Sequence, residues 1–146
     1  MKVITIYNNL IPFEGYKAMA IFPFVFVRKD CEFDDTDLRH ETIHLYQQGE
    51  VTLVACVIIA LLIALCSISA WWLILGVLFY YLWYGTEYAI RYVAYSKPKE
   101  AYRNISFEQE AYNNEKDVDY LKNRKPFAWM KYIFKKTYHW VNPYWE

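Results

Sequence analysis

The chain has 146 residues, the length of one domain, and its 16 basic and 16 acidic side chains cancel. Balanced charge gives no electrostatic footprint for nucleic acid, and four glycines in total are too few to favour a nucleotide-binding phosphate loop. Aromatic residues make up 21% of the sequence, which is high for a soluble domain and typical of proteins with aromatic belts at a membrane interface.

The first 30 residues have the pattern of strands. Residues 2–7 and 18–28 are rich in β-branched and aromatic side chains, and turn-forming residues lie between them. We therefore predict a β-hairpin over residues 1–30. Pro23 cannot donate a hydrogen bond to a strand ladder, so the second strand is expected to lie at an edge or to contain a bulge.

A histidine motif follows, on a helix expected to be capped by Asp35 or Thr36. His40 and His44 are four residues apart, so both lie on one face of the helix and can chelate one metal ion. Glu41, beside that face, can accept a proton from a metal-bound water. The alternative is a polar helix start whose imidazoles are only solvated or capped.

The motif helix is predicted over residues 35–68 and runs into an apolar segment. The 36 residues at positions 51–86 carry no charge, which is too long for one membrane span and suits two. A break near residues 67–70 would divide them, with the second span over residues 71–93. The fold class predicted is mainly α, an integral membrane protein built on a two-helix hairpin. The alternative is a buried helical hairpin in a soluble protein.

The basic residues predict the orientation of this hairpin. Five Lys and Arg precede the uncharged run and eleven follow it, so the positive-inside rule puts both termini in the cytoplasm. The C-terminal third then lies on the same side as the histidines and can supply a third metal ligand.

Two acids near the uncharged run are candidate ligands. In a hairpin folded near Ser69, Glu87 lies level with about residue 51, roughly 10 Å from His44 at 1.5 Å per residue. That is too deep for ligation, and Glu87 can pair with Arg91 one turn on. We keep Glu87 as a group that orients a ligating histidine, and Glu50 as an alternative ligand.

A downstream helix carries the better candidates. Ser106 and Gln109 have the spacing of a capping box, which predicts a helix over residues 106–122. Glu108 lies in its first turn and is the favoured third ligand, with Glu110 as the alternative. Both acids would also be explained by the helix dipole alone.

Other candidates are less specific. Gln47 lies three residues beyond the second histidine, where it can contact a ligand or substrate. His139, Tyr112 and Tyr120 are candidate oxyanion donors. Residues 126–138 alternate aromatics and lysines, which predicts a helix lying on the bilayer surface.

The motif pair resembles that of a known family. HExxH followed by a helix with Glu108-Gln109-Glu110-Ala111-Tyr112 resembles the gluzincin metallopeptidases, particularly the membrane-bound CAAX-type and heat-shock proteases, which carry E-x-x-A-D. The resemblance implies Zn²⁺ held by His40, His44 and Glu108, with Glu41 as general base. It also implies an edge strand that pairs with extended substrate. Tyr112 replaces the family's Asp and removes the usual acidic partner.

The whole layout is also similar to short bacterial membrane proteins regarded as metallopeptidases, with segments resembling IPFEGYKA, RHETIHLYQQGE and AYRNISFEQEAY. These resemblances imply a zinc metalloendopeptidase of the bacterial inner membrane, acting on peptide or membrane-protein substrates. One alternative is a non-catalytic membrane protein with a closed structural metal site completed by His139. Another is a di-iron carboxylate enzyme that uses Glu41-x-x-His44 from each chain of a homo-oligomer.

Overall fold

The protein is mainly helical with one small sheet, and the structure, a computed structural model, describes residues 3–13 and 15–135. The strands are β1 Ile4–Asn8, β2 Ala18–Ile21 and β3 Phe24–Arg28. The helices are α1 Asp35–Cys66, α2 Leu73–Tyr95, α3 Pro98–Arg103, α4 Ser106–Asn114 and α5 Tyr120–Asn123, with 3₁₀ turns at Ala70–Trp72 and Ala128–Tyr132.

The sheet differs from the predicted hairpin. Its order is β1-β3-β2, with β1 parallel to β3 and β2 antiparallel to β3. The segment 18–28, predicted as one strand, is two strands joined by a turn at Phe22 and Pro23. Pro23 therefore lies in a turn and not within a strand, and of the two strands that it separates β2 lies at the sheet edge and β3 is central. Proline has a fixed φ and no N–H, which suits a turn between strands.

The N-cap of helix α1 is Asp34, one residue before the predicted caps. The carboxylate of Asp34 accepts the N–H groups of Thr36 and Asp37, at 2.7 and 2.8 Å. The Asp37 carboxylate in turn accepts the Asp34 N–H, which completes a reciprocal capping box. From there α1 continues without a break until Ser67, which ends it in the left-handed conformation with φ 53°.

The predicted helical hairpin is present, with its break at the predicted serines. Within the described residues, α1 and the segment Ala70–Tyr95 are long and apolar enough to cross a membrane. Only 11% and 17% of their most apolar stretches are buried in the protein, unlike the core helices of a soluble domain. The helices approach closely where Gly76 meets Cys56, since a Cβ on Gly76 would lie 3.2 Å from the Cys56 Cα atom.

This contact corrects the predicted register of the hairpin. Glu87 lies eleven residues after Gly76 on α2, and Leu45 lies eleven residues before Cys56 on α1. In antiparallel helices that meet at Gly76 and Cys56, Glu87 is therefore about level with Leu45. Glu87 is therefore not too deep to reach the histidines. It is directed elsewhere, because its carboxylate accepts the backbone N–H and the hydroxyl of Ser106, at 2.9 and 2.6 Å.

The start of α4 is thus capped from another helix. The capping box predicted between Ser106 and Gln109 is absent: Ser106 binds Glu87, and the Gln109 amide donates to the carbonyl of Asn104 at 2.9 Å. A carboxylate at a helix N-terminus satisfies free N–H groups and interacts favourably with the dipole. Glu87 thereby fixes the position of α4 relative to α2.

The predicted C-terminal helices are both shorter than expected. Helix α4 ends at Asn114 rather than at residue 122, and a turn stabilised by the Asp117 carboxylate separates it from α5. In the described part of segment 126–138, only a 3₁₀ turn forms. Trp129 is buried there against Phe107, with ring centroids 4.6 Å apart. Tyr132 is also buried, whereas Phe134 is 91% exposed, so the described part of this segment is partly core and partly surface.

Candidate metal centre

Three side chains predicted as metal ligands meet between α1 and α4. The Nε2 atoms of His40 and His44 are 3.1 Å apart. They lie 3.4 and 3.3 Å from the two carboxylate oxygens of Glu108. The donor atoms of this group all lie within 4.8 Å of one another, and all three residues are buried. The structure therefore brings together the predicted set.

Each histidine is also held through its other ring nitrogen. His40 Nδ1 lies 2.8 Å from a Glu115 carboxylate oxygen, and His44 Nδ1 lies 2.8 Å from the Gln47 side-chain oxygen. Both partners present acceptors, so each Nδ1 carries the hydrogen and each Nε2 is directed at the centre. Metal-binding histidines are commonly oriented in this way.

Glu115 was not identified from the sequence. It lies seven residues after Glu108, which is two turns of helix, so the two acids share one face. That spacing was the available signal. The resemblance implied that this chain lacks an acidic partner, because Tyr112 stands where the family has Asp. Glu115 supplies an acidic partner to His40 instead. Tyr112, which stands in place of that Asp, packs its ring edge-on against His40 at 4.7 Å between centroids.

The donor set fits zinc. Two imidazoles and one carboxylate are a common catalytic zinc set, which leaves a fourth position for water or substrate. Oε2 of Glu108 is buried, and within the described part of the chain it receives no hydrogen bond. A buried carboxylate oxygen that receives no hydrogen bond is costly, and a cation between the three groups would satisfy it.

The electrostatics of the metal-free chain agree with a cation site. Burial by itself would lower the pKa of His40, but Glu108 and Glu115 outweigh it and raise that pKa to about 10. Burial would likewise lower the pKa of His44, and Glu108 reverses this. Burial would raise the pKa of Glu108, yet the two histidines hold it well below its usual range. The centre therefore favours positive charge next to a permanent carboxylate.

A cleft of about 420 Å³ opens onto this centre. Glu41, the predicted general base, lines it beside His44 and Glu108. Burial raises the pKa of Glu41, partly offset by the neighbouring histidines and by a hydrogen bond from the Ala20 backbone. Strand β2 forms one wall, and the other is a stripe of tyrosines on α2: Tyr80, Tyr81, Tyr84 and Tyr88.

Tyr84 is a second site residue that the sequence did not single out. Its hydroxyl donates to Oε1 of Glu108 at 2.8 Å, so it helps to fix that carboxylate. The spacing of the tyrosine stripe, with repeats of three and four residues, is the pattern of one helix face and could have indicated a shared wall.

The alternative acidic ligands are directed away from the histidines. Glu110 is fully buried against Arg124, whose Nε lies 2.6 Å from its carboxylate. Arg124 also binds Glu50, and Glu87 holds Ser106 and Arg91. Of the candidate oxyanion donors, the hydroxyl of Tyr120 donates to Glu110 at 2.9 Å. His139 lies outside the described residues.

Comparisons of the chain with protein-family models, with curated proteins and with solved structures found no match. The centre and its cleft are therefore interpreted from their own chemistry.

Proposed function

We propose that the protein is a membrane-bound zinc metalloendopeptidase that hydrolyses peptide bonds close to the membrane surface. One observation carries this proposal. Two histidine Nε2 atoms and a buried carboxylate converge within 3.4 Å, both Nδ1 atoms are held by acceptors, and an acid lines the cleft beside them. The chain then belongs to the class of HExxH metallopeptidases that use a downstream glutamate.

The residues divide the chemistry between them. His40, His44 and Glu108 would hold Zn²⁺, which when bound supplies the Lewis acid that activates water and polarises the scissile carbonyl. Glu41 would accept the proton of that water and pass it to the leaving amine. Burial raises the pKa of Glu41 above its usual value, which makes the carboxylate a stronger base for taking up that proton.

The cleft also supports binding of an extended peptide, with one change from the expected edge-strand pairing. Gln48 occupies part of the edge of β2: its amide donates to the Ala20 carbonyl and accepts the Phe22 N–H, both at 2.8 Å. Backbone pairing with substrate would therefore use the part of β2 nearer Ala18, which also borders the cleft. The tyrosines on the opposite wall would contact its side chains.

The membrane placement rests on exposed apolar surface. Large apolar side chains of α1 are open to the surroundings, including Leu53 at 65%, Ile58 at 53% and Leu65 at 81%. Such a surface is stabilised by a bilayer and is a liability in water. All sixteen Lys and Arg lie before or after the uncharged residues 51–86, on the side of the membrane that holds both termini. By the positive-inside rule that side would be the cytoplasm, and the membrane would be a bacterial inner membrane.

The position of the cleft favours substrates in the same membrane. Tyr81, which lines the cleft, donates its hydroxyl to Gln48 at 3.3 Å, and Gln48 lies just before the uncharged part of α1 begins at residue 51. The cleft thus extends from the expected membrane boundary toward the metal centre. We infer cleavage of the segment of a membrane protein or peptide that emerges from the bilayer.

The test is metal analysis of detergent-purified protein beside two variants. Wild type should contain about one zinc per chain, and His44→Ala should lose it because a chelate with two ligands left is weak. Glu41→Gln should keep the zinc, while peptide turnover falls by about 10²–10⁴-fold, the range for loss of a general base. Absence of metal in wild type purified without chelators would refute the proposal.

A further inference from the structure

A buried polar chain leads away from the candidate metal centre. Gln47 is fully buried behind His44, and Glu110 and Arg124 lie behind Gln47. The side chain of Arg124 is 3% exposed and that of Glu110 is inaccessible. Buried polar groups of this kind are costly unless each has its partners, so their arrangement is strongly determined.

The Gln47 amide has only one orientation that satisfies its neighbours. Its nitrogen donates to the Phe107 carbonyl at 3.0 Å and to the Glu110 carboxylate at 3.1 Å. Both of those partners can only accept. The Gln47 oxygen must therefore be the atom that faces His44 Nδ1, at 2.8 Å.

Glu110 is in turn fixed as an acceptor. Arg124 donates to its two oxygens through Nε and Nη2, at 2.6 and 3.2 Å, and Tyr120 adds a hydroxyl at 2.9 Å. Arg124 is anchored on α1 by Glu50, which also accepts the Phe127 N–H at 3.0 Å. A charge-assisted fork of this type is rigid and fixes both Glu110 oxygens as acceptors.

We propose that Gln47, Glu110 and Arg124 are positioning residues that hold His44 in the form that binds metal through Nε2. This inference rests on the proposed zinc site but assigns a role that HExxH itself does not contain. Glu110 and Arg124 act through Gln47 and touch neither histidine.

The physical reason lies in the single hydrogen of a neutral imidazole. If the Gln47 amide flipped, its NH₂ group would face Nδ1, which would then have to accept. The ring hydrogen of His44 would move to Nε2 and point at His40 and Glu108, where it would block ligation. The flip would also set the Gln47 oxygen against the Phe107 carbonyl and the Glu110 carboxylate.

The experiment measures metal binding rather than activity. Zinc affinity is determined by competition with a chromogenic chelator, and the Co²⁺ absorption spectrum reports ligand geometry. Gln47→Leu should weaken zinc binding by about 10–100-fold, the range for loss of a partner that orients a ligand. It should also change the cobalt spectrum. Glu110→Gln should weaken binding in the same direction by a smaller factor.

Gln109→Leu is the matched control. Gln109 is buried on α4 one residue from Glu110, but its amide donates to the Asn104 carbonyl and not toward the centre. Its replacement should leave zinc affinity and the cobalt spectrum unchanged, whatever it does to the stability of the fold. Equal losses in the control and in Gln47→Leu would make the effect structural and overturn the proposal.

The remaining outcomes separate the two proposals. If wild type binds zinc and Gln47→Leu binds it equally well, the positioning role is overturned and the peptidase proposal stands. If wild type binds no zinc, both proposals are overturned. If Gln47→Leu does not fold, nitrogen NMR of wild type, labelled at histidine and loaded with zinc, determines which ring nitrogen of His44 carries hydrogen. The proposal requires hydrogen on His44 Nδ1 and metal on Nε2, and the opposite tautomer would contradict it.

Discussion

The two halves of α1 reverse the usual relation between polarity and burial. In the first half, up to Glu50, polar side chains are buried: His40, Thr42, His44, Gln47 and Gln48. In the second half, large apolar side chains are exposed, among them Leu53, Val57, Ile58, Leu61 and Leu65. One continuous helix therefore buries polar side chains at one end and exposes apolar side chains at the other. The buried polar side chains of the first half surround the candidate metal centre. The exposed apolar side chains of the second half suit an apolar environment such as a bilayer.

The largest test of this contrast places a charge on the apolar half. Ile58, 53% exposed near the middle of the uncharged part of α1 (residues 51–66), is changed to lysine. In a bilayer the change should cost about 3 kcal/mol, or roughly 100-fold in insertion. Recovery in washed membranes measures it. Val118→Lys, at a 72% exposed site beyond α4, is the control and should insert normally. Equal recovery of both variants would favour a soluble hairpin.

The polar half is tested by the pH dependence of zinc binding. The pKa of His40 in the metal-free chain is raised from 6.5 to about 10, so the ring holds a proton at neutral pH that zinc must displace. Zinc affinity should therefore fall as the pH falls, by about tenfold per unit for each proton released, or about 100-fold from pH 8 to 6. Calorimetry in two buffers of different ionisation enthalpy counts the protons. Zero release would contradict the geometry at His40.

The contact between the two long helices can be broken by one methyl group. A Cβ on Gly76 would lie 2.8 Å from Cys56 Sγ, so Gly76→Ala should destabilise the hairpin by about 1–3 kcal/mol. Gly85 on the same helix has open space around it, and Gly85→Ala should be neutral or stabilising by up to about 1 kcal/mol. Thermal unfolding in detergent, followed by circular dichroism, compares them. Similar melting temperatures would mean that the helices do not pack at this register.

The smallest expected effect concerns the acid behind His40. Glu115→Gln keeps an acceptor for Nδ1 but removes its charge, so zinc affinity should fall by about tenfold. The chelator competition described for Gln47 measures it. Glu100→Gln removes a charge from an exposed pair with Lys97 and should change nothing. If the Glu115 variant also binds zinc normally, His40 is held by packing alone.

Much of the layout follows from local patterns. The spacing of His40 and His44 placed both on one face, the uncharged run gave a hairpin with its break near Ser67, and Glu108 was expected near the histidines. The sheet was mispredicted because Pro23 makes a turn that residue periodicity does not reveal. The end of α4 was mispredicted because a turn stabilised by the Asp117 carboxylate follows Asn114. The cap at its start was mispredicted because Ser106 and Gln109 bind partners outside a capping box.

The sequence by itself determined which end of α1 is polar and which is apolar, and that two histidines share one face, because helix periodicity and hydrophobicity act between near neighbours. Only the tertiary structure decided how the centre is completed. Glu87 fixes the start of α4, and this sets Glu108 and Glu115 against the two histidines. Each of these two acids lies 64 or more positions along the chain from the histidine that it contacts. Their contacts therefore depend on the packing of whole helices and not on local spacing.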